Sequence, residues 1–415
     1  MDRSVDLETC FGASNYAPMP VTIVRGKGVY LWDVKGRRYI DMMGAYSAAS
    51  FGHCHPRLVR ALTDQARQLD TISRAYFNDR LGAFLARACG LTGMDLALPM
   101  NSGAEAVETA LKAARKWAYK VKGVPADRAE IIVCDGNFHG RTITIIGFSS
   151  VPQYRDGFGP FPPGFRSVAF GNAQAFRAAI TPNTAAFLVE PIQGEGGINV
   201  PPSGYLAEVA RICREHEVLL ICDEIQSGLG RTGQLLACHH DGVQPDAVTL
   251  GKALGGGLLP VSLFLARREV MQVFQPGDHG STFGGNPVAA AVGLAALDTL
   301  IDEKLIERSG RLGAHLLARL AAIENPIIRE VRGRGLFAGL ELDPDLASAA
   351  AVATRLAQAG VLTKDTHRNT VRFAPPLIID ESQIDWAVER VAEVLEEFRR
   401  RKGSTLVDVK TDTLG

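Results

Sequence analysis

The chain has 415 residues, 46% of them hydrophobic and 22% charged, and its 45 basic and 45 acidic side chains cancel. That length exceeds one ordinary core and implies two domains, while globular composition and zero net charge offer nothing for nucleic acid or an anionic membrane surface to hold. The seven cysteines are scattered and form no C-x-x-C pair, which argues against a disulfide framework or a structural zinc site and for a reducing, cytoplasmic location.

The opening residues, MDRSVDLETC, carry acids and no apolar stretch, unlike a secretory signal or an Arg-rich transit peptide. The first 50 residues read as an arm followed by two short strands, Gly28–Asp33 and Lys35–Asp41, around a glycine turn. Helical patterns follow at about 56–69 and 79–89. From about 95 to 270, apolar β-branched runs at Leu96–Met100, Glu130–Cys134, Ala185–Glu190, Leu219–Asp223, Ala247–Leu250 and Val261–Ala266 alternate with helical stretches such as 103–120 and 203–216. Such alternation predicts a mostly parallel sheet with helices on both faces, joined by right-handed crossovers. A helix-rich stretch at 286–322 leads to a second α+β unit. Its expected strands are Ile328–Arg332, Phe337–Leu342 and Thr370–Phe373, and its helices lie at about 345–359 and 381–401. The residues after about 403 are polar and are expected to be loose. No run of about 18 apolar residues predicts a membrane span.

Ligands of open α/β sheets gather beyond the carboxyl ends of the strands, so chemistry is sought there. Met100-Asn101-Ser102-Gly103-Ala104-Glu105 passes from strand to helix. Free N–H groups and a positive dipole end make that point a candidate phosphate cup; read alone it is also a capping box, with Ser102 as N-cap and Glu105 three residues on. Gly136-Asn137-Phe138-His139-Gly140-Arg141 follows the second run, where an aromatic ring could stack on a flat cofactor and an arginine could bind a carboxylate; a lone aromatic in a turn is more often core packing. Cys222-Asp223-Glu224 closes an apolar strand with two acids. One could hold a pyridinium nitrogen protonated; a turn or helix cap is the plain alternative. Leu250-Gly251-Lys252-Ala253 puts a lysine after an apolar strand, with Gly255-Gly256-Gly257 beyond. A partly buried lysine titrates low and can form a Schiff base; a surface lysine would snorkel, but the glycines favour close approach to a ligand.

Three other patterns carry less. Gly228-Leu229-Gly230-Arg231-Thr232-Gly233 matches G-x-G-x-x-G, yet Asp223–Gln226 intervenes after the strand and no helix opens there. Gly251-Lys252 is followed by Ala253 where a phosphate-binding loop needs Ser or Thr. His53-Cys54-His55 lacks further metal ligands at suitable spacing.

Taken together, a phosphate cradle, a stacking ring, a carboxylate and a Schiff-base lysine are what pyridoxal 5'-phosphate (PLP) chemistry requires. At these residues the chain resembles the class III, fold type I, PLP-dependent aminotransferases from about residue 12 to 400. The stretches include GHCHP at 52–56, LPMNSGAEAVETALKAARKW at 98–117, DGFGPFPPGF at 156–165, VEPIQGEGG at 189–197, DEIQSGLGRTG at 223–233, LGKALGGGLLPVS at 250–262, HGSTFGGNP at 279–287 and VRFAPPL at 371–377. Within the family the likeness is to the branch that moves the δ-amino group of ornithine to 2-oxoglutarate, yielding glutamate-5-semialdehyde and glutamate by a ping-pong route.

The resemblance implies a fold: a large α/β domain with a mostly parallel seven-stranded sheet between helices, plus a small α+β domain from the N- and C-terminal segments. The boundaries expected are 1–50 for the arm and part of the small domain, 51–305 for the large domain, 306–402 for the C-terminal small domain and 403–415 for a tail. It also implies roles. Lys252 would hold the cofactor, Asp223 would pair with its ring nitrogen, Gln226 with its phenolic oxygen, and Phe138 would stack on it beside His139. Backbone at Ser102, Gly103 and Ala104 would hold the phosphate, joined by Thr282, with Ser281 beside it, from a neighbouring subunit; at least a homodimer follows. Arg372 would bind the carboxylate of the keto acid, Glu195 would cover Arg372 when the donor is an ω-amine, Arg141 would take the donor's distal carboxylate, and Tyr16 and Tyr46 would complete the pocket. His139 departs from the ornithine branch, whose familiar members carry tryptophan there, and matches the acylornithine branch. The alternatives are therefore N-acetylornithine, 4-aminobutyrate or lysine as donor, another reaction on the same fold, and, from another class, a non-catalytic PLP-binding regulator, which would need an added basic DNA-binding module.

Overall fold

The computed structural model describes residues 3–411. At its centre stands a seven-stranded sheet, whose strands are numbered here in chain order: β1 Leu96–Met100, β2 Glu130–Cys134, β3 Phe165–Val168, β4 Thr184–Val189, β5 Leu219–Asp223, β6 Ala247–Leu250 and β7 Ser262–Ala266. Their order in space is β1-β7-β6-β5-β4-β2-β3. Strands β2 to β6 pair in parallel, and β7 runs antiparallel to both β1 and β6. β4 and β5 are buried at every residue, as expected for strands covered on both faces. The six apolar runs expected from the sequence are all present.

β3 is the strand that its residues conceal. Phe165-Arg166-Ser167-Val168 is short, lies at the sheet edge and exposes its two middle residues, so it shows neither a continuous apolar run nor a long alternation. The exposed strand Ile23–Lys27 escapes notice for the same reason.

Crossover helices cover the sheet. Gly103–Trp117 buries Ala106, Val107, Ala110, Leu111, Ala113, Ala114 and Trp117. These recur at three- and four-residue spacing, which turns one stripe inward, and the small alanines let the helix lie close. Pro287–Asp302 lies on the other side, where it packs with the helices Pro56–Gln68 and Leu81–Thr92.

The chain ends form a second, smaller α+β unit. Ile23–Lys27, Tyr30–Asp33 and Arg38–Asp41 pair in sequence, and Val361–Leu362 adds in parallel to Arg38–Asp41. A further sheet joins Ile328–Arg334, Phe337–Leu342, Thr370–Phe373 and Lys364–Thr366. The last helix starts at Glu381, and its backbone continues to Thr411. Residues 403–411 thus extend the helix where composition suggested a loose tail; 412–415 lie outside the described residues.

The segment Gly228–Gly233 ties the two units together. Arg231 is fully buried and donates to the carbonyls of Leu336 (2.9 Å) and Pro375 (2.5 Å) and to the Ser50 hydroxyl (2.8 Å). At Gly233 (φ +87°) a side chain would meet Gly310 at 2.7 Å. The glycines of this dinucleotide-like pattern serve close packing. His53 and His55 have separate carboxylate partners, Asp41 at 2.8 Å and Glu303 at 3.2 Å.

Candidate active site

The parallel strands deliver their following residues to one edge of the sheet. Ser102 comes after β1, Phe138 and His139 after β2, Glu190 after β4, Asp223 ends β5 and Lys252 follows β6. β7 is antiparallel, so its first residue reaches the same edge, and the Ser262 hydroxyl donates to the Ser102 carbonyl at 2.7 Å.

Asp223 and Glu224 are neighbours with separate tasks. The buried Asp223 accepts from the Thr249 hydroxyl (2.9 Å) and the Ile225 N–H (3.1 Å) on one oxygen, and its other oxygen lies 2.6 Å from His139 Nδ1. Glu224 instead accepts from the Ser227 hydroxyl (2.6 Å) and the Cys238 N–H (2.8 Å), bracing the loop. Burial would push the His139 imidazole down, but the hydrogen bond and charge of Asp223 hold it above its ordinary value. Its second ring nitrogen, Nε2, is buried without a protein partner.

Lys252 takes a left-handed backbone (φ +45°), a strained state for a side-chain-bearing residue. A side chain at Gly251 would crowd Ile225 at 3.3 Å, and one at Gly103 would crowd the same residue at 3.1 Å; glycine at both points lets the two loops close around it. Burial lowers the Lys252 ammonium below its usual range, although the carboxylates of Glu195 and Asp223 oppose this.

At the start of the helix Gly103–Trp117 the capping box is complete. The Ser102 hydroxyl accepts from Glu105 N–H (3.2 Å), and Glu105 Oε2 accepts from the N–H groups of Ser102 (2.6 Å) and Asn101 (3.0 Å). The Ser102 N–H is thereby taken up, while those of Gly103 and Ala104, at the first helical positions, have no acceptor within the helix.

Two adjoining cavities meet at Lys252 and Phe138. The inner one, about 160 Å³, is lined by Gly103, Ala104, His139, Asp223 and Gln226, among others. The outer one, about 590 Å³, is lined by Tyr16, Tyr46, Arg141, Tyr154 and Glu195, among others. Tyr46 sits in a left-handed turn, with φ of +55°, +47°, +58° and +73° over Gly44–Ser47, held where Asp41 accepts from the N–H groups of Met43 (2.9 Å) and Gly44 (2.8 Å). Its ring lies 5.0 Å from the Arg372 guanidinium. Arg372 is buried and donates from both terminal nitrogens to Glu195, at 2.7 and 2.8 Å. Burial would raise the Glu195 carboxyl; Arg372, aided by Lys252 and Gln226, overcomes this and holds it at about 2.

Most of the residues singled out in the sequence thus converge. Thr282 does not: it is exposed and, with Ser281, lines a surface cavity with Thr71, Ile72, Ser73 and Arg74, although the Ser281 hydroxyl accepts from the Asn101 amide at 2.7 Å, one residue before Ser102. Glu190, Thr249, Ile225 and Tyr154 join the site without having stood out in the sequence. Glu190 accepts from the N–H groups of Phe138 (2.9 Å) and Gly194 (3.2 Å), and burial pushes its carboxyl up to about 7. Its place just after a fully apolar strand, like that of Asp223, was the available signal.

The inner cavity suits a flat, ring-shaped aldehyde with an anionic arm. It offers an amine of lowered basicity, a carboxylate fixed from three sides, an aromatic ring and a helix start with free N–H groups. Comparison with known proteins agrees with this chemistry. The family model for class III aminotransferases matches residues 11–395. An ornithine aminotransferase of Brevibacillus brevis is 53% identical over 385 residues, 93% of this chain and 96% of that one. The Bacillus subtilis ornithine aminotransferase is 53% identical over 391 residues, 94% and 97% of the two chains. Among solved structures, the ornithine aminotransferase of Toxoplasma gondii superposes with a TM-score of 0.94 at 45% identity, covering 96% of this chain and 95% of its own. An acetylornithine aminotransferase of Elizabethkingia anophelis reaches 0.86 at 44% identity, covering 95% and 98%.

Proposed function

The chain belongs to the class III aminotransferases, PLP-dependent enzymes, and on that premise we propose that it transfers the δ-amino group of ornithine to 2-oxoglutarate, releasing glutamate-5-semialdehyde and glutamate. The observation that carries this reading is the bidentate Glu195–Arg372 pair beside Lys252. With the pair closed, Glu195 covers the Arg372 charge, and that end of the pocket accepts an amine-bearing carbon that has no carboxylate. With it open, Arg372 presents a planar fork to the α-carboxylate of a keto acid.

We assign the cofactor to the inner cavity. The N–H groups of Gly103 and Ala104 would hold the phosphate, Phe138 would lie against the ring with His139 beside it, Gln226 would reach the phenolic oxygen and Lys252 would be the covalent anchor. When bound, PLP supplies an electron sink for the bond broken at the amine-bearing carbon. Asp223, already fixed by Thr249, Ile225 and His139, would keep a proton on the ring nitrogen. Lys252 Nζ would take the proton from the donor's δ-carbon, a role favoured by its lowered basicity. Arg141 would bind the donor's distal carboxylate, with Tyr16 and Tyr46 completing the pocket.

The test is a donor panel with 2-oxoglutarate: ornithine, N-acetylornithine, 4-aminobutyrate and lysine. Ornithine should give the highest kcat/KM. The acetylornithine reading has one observation in its favour, His139 against Asp223 in place of an indole; a faster reaction with N-acetylornithine would replace the ornithine assignment.

We further propose a cytoplasmic homodimer with shared sites. Among the described residues no helix is long and apolar enough to cross a membrane. Thr282 lies exposed, away from its own chain's inner cavity, and Tyr76, Phe77 and Phe283 on neighbouring segments of chain are large exposed apolar side chains. Such a patch favours a protein partner, and a second copy would bring Ser281 and Thr282 to the other subunit's phosphate. Sedimentation would measure the assembly, and mixing Lys252→Ala with Thr282→Ala chains would test whether hybrids regain activity. The domain limits at 50, 305 and 402 belong to the same reading, supported by the pairing of Val361 with Ile40 that joins the two ends of the chain.

A further inference from the structure

Arg141 is a cation whose described partners are aromatic rings. Its guanidinium carbon stands 3.5 Å from the centroid of Tyr154 and 5.4 Å from that of Phe138. The Tyr154 ring is itself braced on two sides. Phe138 meets it edge-on at 6.2 Å and 81°, and His367 meets it at 6.5 Å and 86°. His367 Nδ1 lies 2.9 Å from the Glu195 carbonyl oxygen, which also accepts from the Thr366 hydroxyl at 2.6 Å. One tyrosine therefore lies between the cation of the outer cavity and the segment that fixes Glu195.

We propose that Tyr154 is a positioning residue that presets Arg141 for the distal carboxylate of the amino donor, and so sets how strongly the enzyme prefers donors that carry one. A guanidinium stacked on an aromatic face keeps its in-plane N–H fork open, and that fork is what a carboxylate needs for two parallel hydrogen bonds. Without the ring, a long arginine side chain on an open cavity wall would lose rotamer freedom on each binding event. Because His367 links the ring to the Glu195 backbone, Tyr154 also sets the spacing between Arg141 and the Glu195–Arg372 pair, the two ends between which the donor lies. The inference rests on the reading of Arg141 as the distal-carboxylate site.

The experiment uses the holoenzyme and three variants: Tyr154→Leu, Tyr154→Phe and Arg141→Gln. It measures KM and kcat for ornithine, the inhibition constant of 1,4-diaminobutane, which has the same carbon chain without the carboxylate, and calorimetric binding of glutarate, an unreactive dicarboxylate. Tyr154→Leu should raise the ornithine KM and the glutarate dissociation constant roughly two- to thirty-fold, the range of a cation–π contact. It should leave kcat and the diaminobutane constant where they are. Tyr154→Phe should keep wild-type values, since the ring and not the hydroxyl is used. If Arg141→Gln raises the ornithine KM while Tyr154→Leu does not, the positioning role is overturned and the Arg141 site stands. A parallel loss of diaminobutane binding in Tyr154→Leu also overturns it, because a general collapse would do the same. If Arg141→Gln leaves the ornithine KM unchanged, the carboxylate site itself fails and takes this inference with it.

Discussion

Glu195 closes on Arg372 through two parallel charge-assisted hydrogen bonds, 2.7 and 2.8 Å long, and does so inside the protein, with Arg372 only 1% exposed. Breaking such a pair leaves a buried cation in need of an anion. A substrate carboxylate would meet that need, so on the proposed reading the pair would act as a lock that a keto acid opens and a bare amine leaves shut.

Replacing Glu195 with alanine removes the lock. Arg372 then attracts the α-carboxylate of any amino acid, and ornithine competes with itself in a non-productive orientation. The ratio of kcat/KM for the ornithine half-reaction to that for glutamate should fall by about ten- to a hundred-fold, the size of one lost charged hydrogen-bond interaction. Stopped-flow measurement of each half-reaction gives the ratio; an unchanged value would remove Glu195 from the switch.

Replacing Lys252 with alanine should abolish the visible band of the covalently held cofactor and slow transamination by at least about 10²–10⁴-fold, the range of a lost acid–base group. Absorbance after reconstitution and single-turnover rates check the two effects separately. Near-normal turnover by this variant would contradict both assigned roles of the lysine.

Glu190 makes stability depend on pH. Its carboxyl sits at about 7 against an ordinary 4.5, because burial disfavours the charge. The folded state therefore keeps a proton that the unfolded chain releases. This contribution is full below pH 4.5 and is lost as pH rises to about 7. Glu190→Gln cannot titrate there, so relative to the wild type it should gain on the order of 2–3 kcal/mol between those limits, whatever its constant cost. Denaturant unfolding of the apo forms across that window measures the difference; a flat difference would place the Glu190 proton elsewhere.

Two structural ties can be tested by stability alone. Ser102→Ala removes one half of the capping box and should cost about 1 kcal/mol. Arg231→Met would leave the carbonyls of Leu336 and Pro375 and the Ser50 hydroxyl without this donor and should cost about 3 kcal/mol or more. Thermal unfolding distinguishes the two. An Arg231 variant as stable as the wild type would mean that water replaces the guanidinium.

The sequence by itself determined six of the seven strands of the sheet, because strands such as β4, β5 and β6 are buried on both faces and their short apolar runs are bounded by turns. It also determined which side chains stand at the strand ends, since Ser102, Phe138, Asp223 and Lys252 each follow such a run within a few residues. It could not show β3 or Ile23–Lys27, where an exposed edge removes the apolar pattern. Nor could local pattern tell Asp223 from Glu224, since the difference lies in what each meets: Thr249 and His139 for one, Ser227 and Cys238 for the other. Only the tertiary structure decided that Glu195 and Arg372, 177 positions apart, share a bidentate bond, and that the Arg141 guanidinium lies over the Tyr154 ring. Strand and helix periodicity are written within a few residues of chain, whereas a cavity is assembled from loops that meet only after the sheet has brought their strands together.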